Sequence, residues 1–102
     1  MKKLLTSDKR YAERRHAQSR ALERYNLVFN KEVRRNMITA IQASRAHLIE
    51  RQSLRLALYI VEWDSKEYPV MYDNIRKEIV TFIPKEDDRV RRRLRWSPSL
   101  AG

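Results

Sequence analysis

The stretch LRLALYIVEWDSKEYPVMYDNIRKEIVTFIP, Leu54 to Pro84, decides the fold. Leu54, Leu56, Leu58 and Ile60 alternate with Arg55, Ala57, Tyr59 and Val61. A period of two sends successive side chains to opposite faces of a strand, so this segment predicts a strand with one face on a core. YPVMYD and KEIVTFIP read as two more strands, rich in the aromatic and β-branched residues that suit a pleated surface. Trp63-Asp64-Ser65-Lys66 and Asp73-Asn74 are the turns between them. The only glycine is Gly102, so Asp64 and Asn74 are expected to take the positive φ that tight turns require. Upstream, AHLIERQ (46–52) reads as a further strand in preference to the last turns of a helix, and Pro84 ends the final strand.

Toward the amino terminus the period changes to a helical one. Asn30 is a good cap, and Val33, Met37, Ile38 and Ile41 fall at i, i+4, i+5 and i+8, a core-facing stripe that fades near Ser44. Before it, Thr6, Ser7 and Asp8 can cap a first helix through SDKRYAERRHAQSRALERYNL, with Tyr11, Ala12, Ala21, Leu22 and Tyr25 at near-helical spacing. That stripe is thin and ringed by arginines, so this helix is expected to be lightly docked or ordered by a partner. After Pro84, the acidic trio Glu86, Asp87 and Asp88 precedes RVRRRLRW, either a helix anchored by Val90 and Leu94 or an extended tail. The predicted class is α+β: two N-terminal helices followed by a three- to four-stranded antiparallel sheet, with a basic C-terminal helix or tail. One sheet face packs on the second helix and the other is open to a ligand. The chain divides into a basic N-terminal helical arm (1–29), an α+β core domain (30–84), and an acidic linker with an Arg-rich C-terminal tail (85–102).

Charge narrows the function. The 102 residues hold 23 Lys plus Arg against 13 Asp plus Glu, a net charge of +10. By segment, residues 1–29 carry +5, 30–60 carry +4, 61–88 carry −4 and 89–102 carry +5. Sixteen of the 23 cations are arginine, which forks onto phosphate oxygens and stacks on bases in a way lysine does not. That bias favours an anionic partner. Without internal glycine there is no phosphate-cradling loop; without cysteine there is no disulfide, thiolate metal site or Cys nucleophile. His16 and His47 are the only imidazoles, and three consecutive acids more often form a solvated loop or helix cap than a magnesium site, so no cofactor and no metal are expected. No apolar run is long enough to span a membrane or serve as a secretory signal, which points to a cytoplasmic protein with no membrane partner.

Two sets of residues are candidates for function. Arg10, Arg14, Arg15, Arg20 and Arg24 on the first helix, and Arg89, Arg91, Arg92, Arg93, Arg95 and Trp96 at the carboxyl end, are the nucleic-acid-binding candidates. Basic groups interleaved with aromatics such as Tyr11 and Tyr25 suit RNA, whose unpaired bases stack on rings and guanidinium planes. The alternative is a solvated surface. The second set is catalytic. Metal-free RNA cleavage needs a group to take the 2′-OH proton, cations to hold the phosphorane and a donor to the leaving oxygen. His47 would be the base or acid, Arg51 and Arg55 the phosphate clamp, and Tyr72 or Tyr59 the orienting hydroxyl, with Arg76 and Thr81 nearby. A lone histidine in such a stretch is also a common structural residue.

The segments YPVMYDNIRKEIVTFIP (Tyr68–Pro84) and RQSLRLALYIVEW (Arg51–Trp63) resemble the closing hairpin and preceding strand of small phage and plasmid proteins and of RelE-like, barnase-like and colicin-like ribonuclease toxins. The resemblance covers about residues 30–84. It implies a curved antiparallel sheet behind a helical amino-terminal part, a metal-independent endoribonuclease activity, and a basic or aromatic residue beyond the last strand, near Arg89 or Arg91. The expected protein is therefore a phage-type RNA- or nucleoprotein-binding protein acting on RNA at a machine such as the ribosome or polymerase. The alternatives are a non-catalytic module that docks on the ribosome, RNA polymerase or a nuclease complex, and a virion or DNA-packaging component.

Overall fold

A computed structural model describes the backbone of residues 4–95 and the side chains of residues 12 and 14–92. The element order is α1 (Leu4–Tyr25), α2 (Lys31–Gln42), β1 (His47–Arg51), β2 (Leu56–Trp63), β3 (Lys66–Asp73), β4 (Glu78–Phe82) and α3 (Asp88–Arg95). The fold is α+β, and among the described residues the strands form one antiparallel sheet in the order β1-β2-β3-β4.

The hairpin of β2 and β3 is its regular centre, paired without a break from Leu56↔Asp73 to Trp63↔Lys66. Asp64 (φ 53°) and Ser65 (φ 65°) close it, and two successive positive φ values match the right-handed twist of the strands they join. The second turn differs from the expectation. Its positive φ falls on Lys77 (60°) and not on Asn74. The reason is Asp73, whose Oδ1 accepts from the backbone N–H of both Ile75 and Arg76, at 2.9 Å each. This side-chain turn holds the chain until Lys77, whose N–H donates back to the Asp73 carbonyl at 2.8 Å.

Leu54 is also displaced from its expected place. The Ser53 hydroxyl accepts from the N–H of Arg55 and Leu56, a local turn that starts β2 only at Leu56 and leaves Leu54 95% exposed.

Helix α2 follows its stripe. Asn30 Oδ1 accepts from the Val33 N–H at 2.9 Å, and Val33, Met37 and Ile41 are buried. Its end is a Schellman turn made without glycine: Ser44 sits at φ 60°, the Arg45 N–H reaches the Ala40 carbonyl at 2.8 Å and the Ser44 N–H the Ile41 carbonyl at 3.2 Å. Helix α1 corrects its predicted stripe. Ala12 and Leu22 are exposed, whereas Ala21 and Tyr25 of that stripe do pack on the core, joined by the fully buried Ala17; the Tyr11 side chain lies outside the described set. Small side chains let α1 approach β4 closely, so it belongs to the core and is not a lightly docked arm.

The sheet is covered on both faces. On one, Phe82 of β4 stands among Phe29, Tyr25 and Tyr68, with ring centroids at 4.9, 6.2 and 6.3 Å. On the other, Leu58, Ile60 and Met71 are buried with Val90 of α3. The expectation of an open second face is thus corrected. Alanine, tyrosine and valine between the leucines of β2 make that strand apolar on both sides, and each side has found a cover.

Candidate functional site

Glu78 is the first residue of β4, and its carboxylate accepts from two helices. Arg14 of α1 and Arg34 of α2 each reach it at 3.3 Å. This shared acid sets the two helices around a groove of about 500 Å³ lined by Arg14, Arg15, Gln18, Phe29, Lys31 and Arg34. Four of the groove's lining residues are cations, and two of them, Arg14 and Arg34, are held in place by Glu78. The groove's floor is the buried Phe29 ring. A positive groove with guanidinium walls and an apolar floor favours an anion with several oxygens, because planar arginine forks pair with them two at a time.

A larger cleft of about 760 Å³ lies at the other end of α1, between Leu22–Asn26 and the β2–β3 turn. It is electrically mixed, with Glu23 and Glu67 opposing Arg24, Lys66 and Lys85. Its groups are engaged in the fold: Arg24 and the Tyr25 hydroxyl donate to the carbonyls of Phe82 and Ile83, and the Lys85 ammonium sits 5.6 Å above the Tyr25 ring. Burial, reinforced by the charge of Glu86, raises the Tyr25 phenol well above its usual range, so it remains a donor. We assign this cleft a structural role.

The catalytic candidates are separated. β1 pairs with β2 through His47↔Ile60 at one end and Arg51↔Ala57 at the other, with an irregularity between Leu48 and Glu50. Ile60 faces the α3 side and Ala57 the opposite side, so the extra residue puts His47 and Arg51 on different faces. A regular strand would have placed residues four apart together. Tyr72 is buried beneath α2, its hydroxyl accepting from Gln42 Nε2 at 3.2 Å and its ring edge-on to Tyr59 at 6.1 Å. Arg55 donates through Nε to the fully buried Asp73 at 2.7 Å. Burial alone would raise the Asp73 carboxyl, but the Arg76 N–H, the Arg55 guanidinium and the Ile75 N–H together hold it below the usual carboxylate range. Arg55 and Tyr72 therefore serve the fold, and His47 and Arg51 are exposed singly. Arg76 is half-buried in the β3–β4 turn and Thr81 pairs with Met71 in the sheet.

The arginines divide similarly. Arg14 and Arg15 line the groove, Arg20 pairs with Glu23 at 2.7 Å, and Arg24 is bonded to the sheet. Arg89 does not point outward: it bridges Asp87 at 2.9 Å and Glu50 at 2.8 Å, which ties α3 to β1. The hydrogen bond from Arg89 is the main cause holding the Asp87 carboxyl low. Arg91 and Arg92 are exposed. The side chains of Arg10, Arg93 and Arg95 lie outside the described set, and Trp96 lies outside the described residues. Lys31 and Arg34 were missed from the sequence. Their signal was positional, since Asn30 caps α2 and places both in its first turn, beside the arginines of α1.

Among the described residues, no group of three His, Cys, Asp or Glu side chains could hold a metal ion, and no helix is long and apolar enough to cross a membrane. In comparisons with protein families, curated proteins and solved structures, nothing matched this chain.

Proposed function

We propose that this protein binds RNA, free or within a nucleoprotein machine such as the ribosome, and that it does so without cleaving it. The observation that carries the reading is the groove lined by the four cations Arg14, Arg15, Lys31 and Arg34. It accounts for arginine in place of lysine, since the fork geometry suits phosphate oxygens, and for two helices brought to one carboxylate. The non-catalytic form is preferred because His47 shares no sheet face with Arg51 and the Tyr72 hydroxyl is taken by Gln42. On this reading the exposed Arg91 and Arg92 of α3 offer further cations on the other face of the sheet.

Fluorescence anisotropy with a labelled RNA of about 20 nucleotides, repeated over a range of salt, tests the proposal. Arg14→Gln combined with Lys31→Gln should weaken binding and reduce the slope of log K against log salt by about one to two, one for each phosphate no longer neutralised. Lys31→Gln alone disturbs neither of the ion pairs to Glu78. Binding that ignores both salt and these substitutions would reject the groove. Cleavage of the RNA in EDTA, abolished by His47→Ala, would restore the nuclease reading.

A further inference from the structure

The groove explains the charge but not the most exposed apolar side chains of the described fold. Leu54 is 95% exposed and Ile75 69% exposed. They belong to different turns, yet the Asn74 N–H donates to the Arg55 carbonyl at 2.7 Å, so the two side chains stand one residue to either side of a single backbone hydrogen bond. They share one tip of the sheet. That tip is rigidly made: the fully buried Asp73 accepts from Arg55 Nε on one turn and from the Ile75 and Arg76 N–H on the other. A buried carboxylate with all its partners on two turns holds an apolar pair in a fixed, solvent-facing position.

The surroundings are cationic. Arg51, three residues before Leu54, and Lys77, two residues after Ile75, are exposed, and Arg55 pairs with the buried Asp73. The tip lies at the same end of β4 as the groove's anchor, because Lys77 is followed by Glu78, the acid that Arg14 and Arg34 share. The cations of the groove and the exposed aliphatic pair are thus both placed toward the end of the sheet at which β4 begins.

We infer that this tip binds the bases of single-stranded nucleic acid whose backbone lies in the α1–α2 groove, so that the protein discriminates single strands from duplex. The inference rests on the groove reading for the backbone and adds the part of the ligand that the groove does not reach. A duplex presents phosphates outside and keeps its base faces stacked, leaving nothing apolar to cover Leu54 and Ile75. An unpaired strand offers phosphates and bare base faces along one contour, matching both the groove and the tip.

The test compares a labelled single strand of about 20 nucleotides with its blunt duplex, using the full chain, Leu54→Ser combined with Ile75→Ser, and the Arg14→Gln, Lys31→Gln groove variant. Both tip side chains are exposed, so the tip variant should keep its thermal midpoint. The full chain should favour the single strand by about tenfold, and the tip variant should lose about that factor for the single strand while keeping duplex affinity and salt slope. Equal loss for both ligands, or single-strand affinity unchanged within about twofold, overturns the inference while leaving the groove intact. A groove variant that binds like the full chain rejects the groove reading, and the tip comparison is then decided by its own variant. Polyglutamate binding as tightly as the single strand would assign the surface to an acidic protein instead.

Discussion

The two basic ends of this chain look alike as sequence and behave differently as structure. Residues 1–29 and 89–102 each carry +5. Yet α1 is fixed to the sheet between Arg14 and Arg24, by buried Ala17 and Ala21, by Arg14 on Glu78 and by Arg24 on the Phe82 carbonyl. Among the described side chains of α3, the attachments are narrower: Val90 in the second cluster and the Arg89 bridge to Asp87 and Glu50. Equal charge thus yields a formed groove at one end and, among the described side chains, two exposed cations, Arg91 and Arg92, at the other. A cation contributes to a binding site only when something holds it in a defined place.

The largest effects should come from the anchors themselves. Phe82→Ala empties the space around which Phe29, Tyr25 and Tyr68 pack, and should destabilise the whole protein by about 3–5 kcal/mol in chemical denaturation. Val90→Ala should lose about 1–2.5 kcal/mol and release α3 first, seen as faster amide exchange confined to that helix. Equal, global losses would break the contrast between the two ends.

Acid stability sharpens the same contrast. Asp73 and Asp87 both have carboxyls held below the ordinary 3.8, so each stabilises the fold fully above that pH and loses its contribution as pH falls through the lowered folded value. Asp73→Asn should destabilise by about 2–4 kcal/mol at neutral pH, a deficit that shrinks below about pH 4 as the parent protein protonates. Asp87→Asn should cost about 1 kcal/mol and loosen α3 alone. An Asp73→Asn deficit that grows on acidification would contradict the assignment.

The smallest effect is expected at Arg91 and Arg92. Replacing both with Gln should change stability by no more than about 0.5 kcal/mol, because the exposed pair holds nothing in place. A larger loss would show that α3 is attached by more than Val90 and Arg89.

Much of the fold could be read from the chain because its signals are short-ranged. The alternation through Leu56–Val61, the 3–4 spacing of Val33, Met37 and Ile41, and the Asn30 cap involve neighbours a few residues apart, and each marks an element that formed. The candidate site was less legible. The Leu48/Glu50 irregularity separates His47 from Arg51 although spacing alone would unite them. The groove was half visible: Arg14 and Arg15 were identified as cations on a helix, while Lys31 and Arg34 joined them only through the approach of α2.

By itself, then, the sequence determined the α+β class, the strand meander and the excess of arginine, since propensity, periodicity and charge are properties of local segments. The tertiary structure alone decided which arginines are engaged in the fold and which line a surface. Glu78 reaches Arg14 across 64 residues, Arg89 reaches Glu50 across 39, and Asp73 reaches Arg55 across 18. Such pairings follow from how the elements pack, because an acid neutralises the cation that folding brings beside it, wherever that cation lies along the chain.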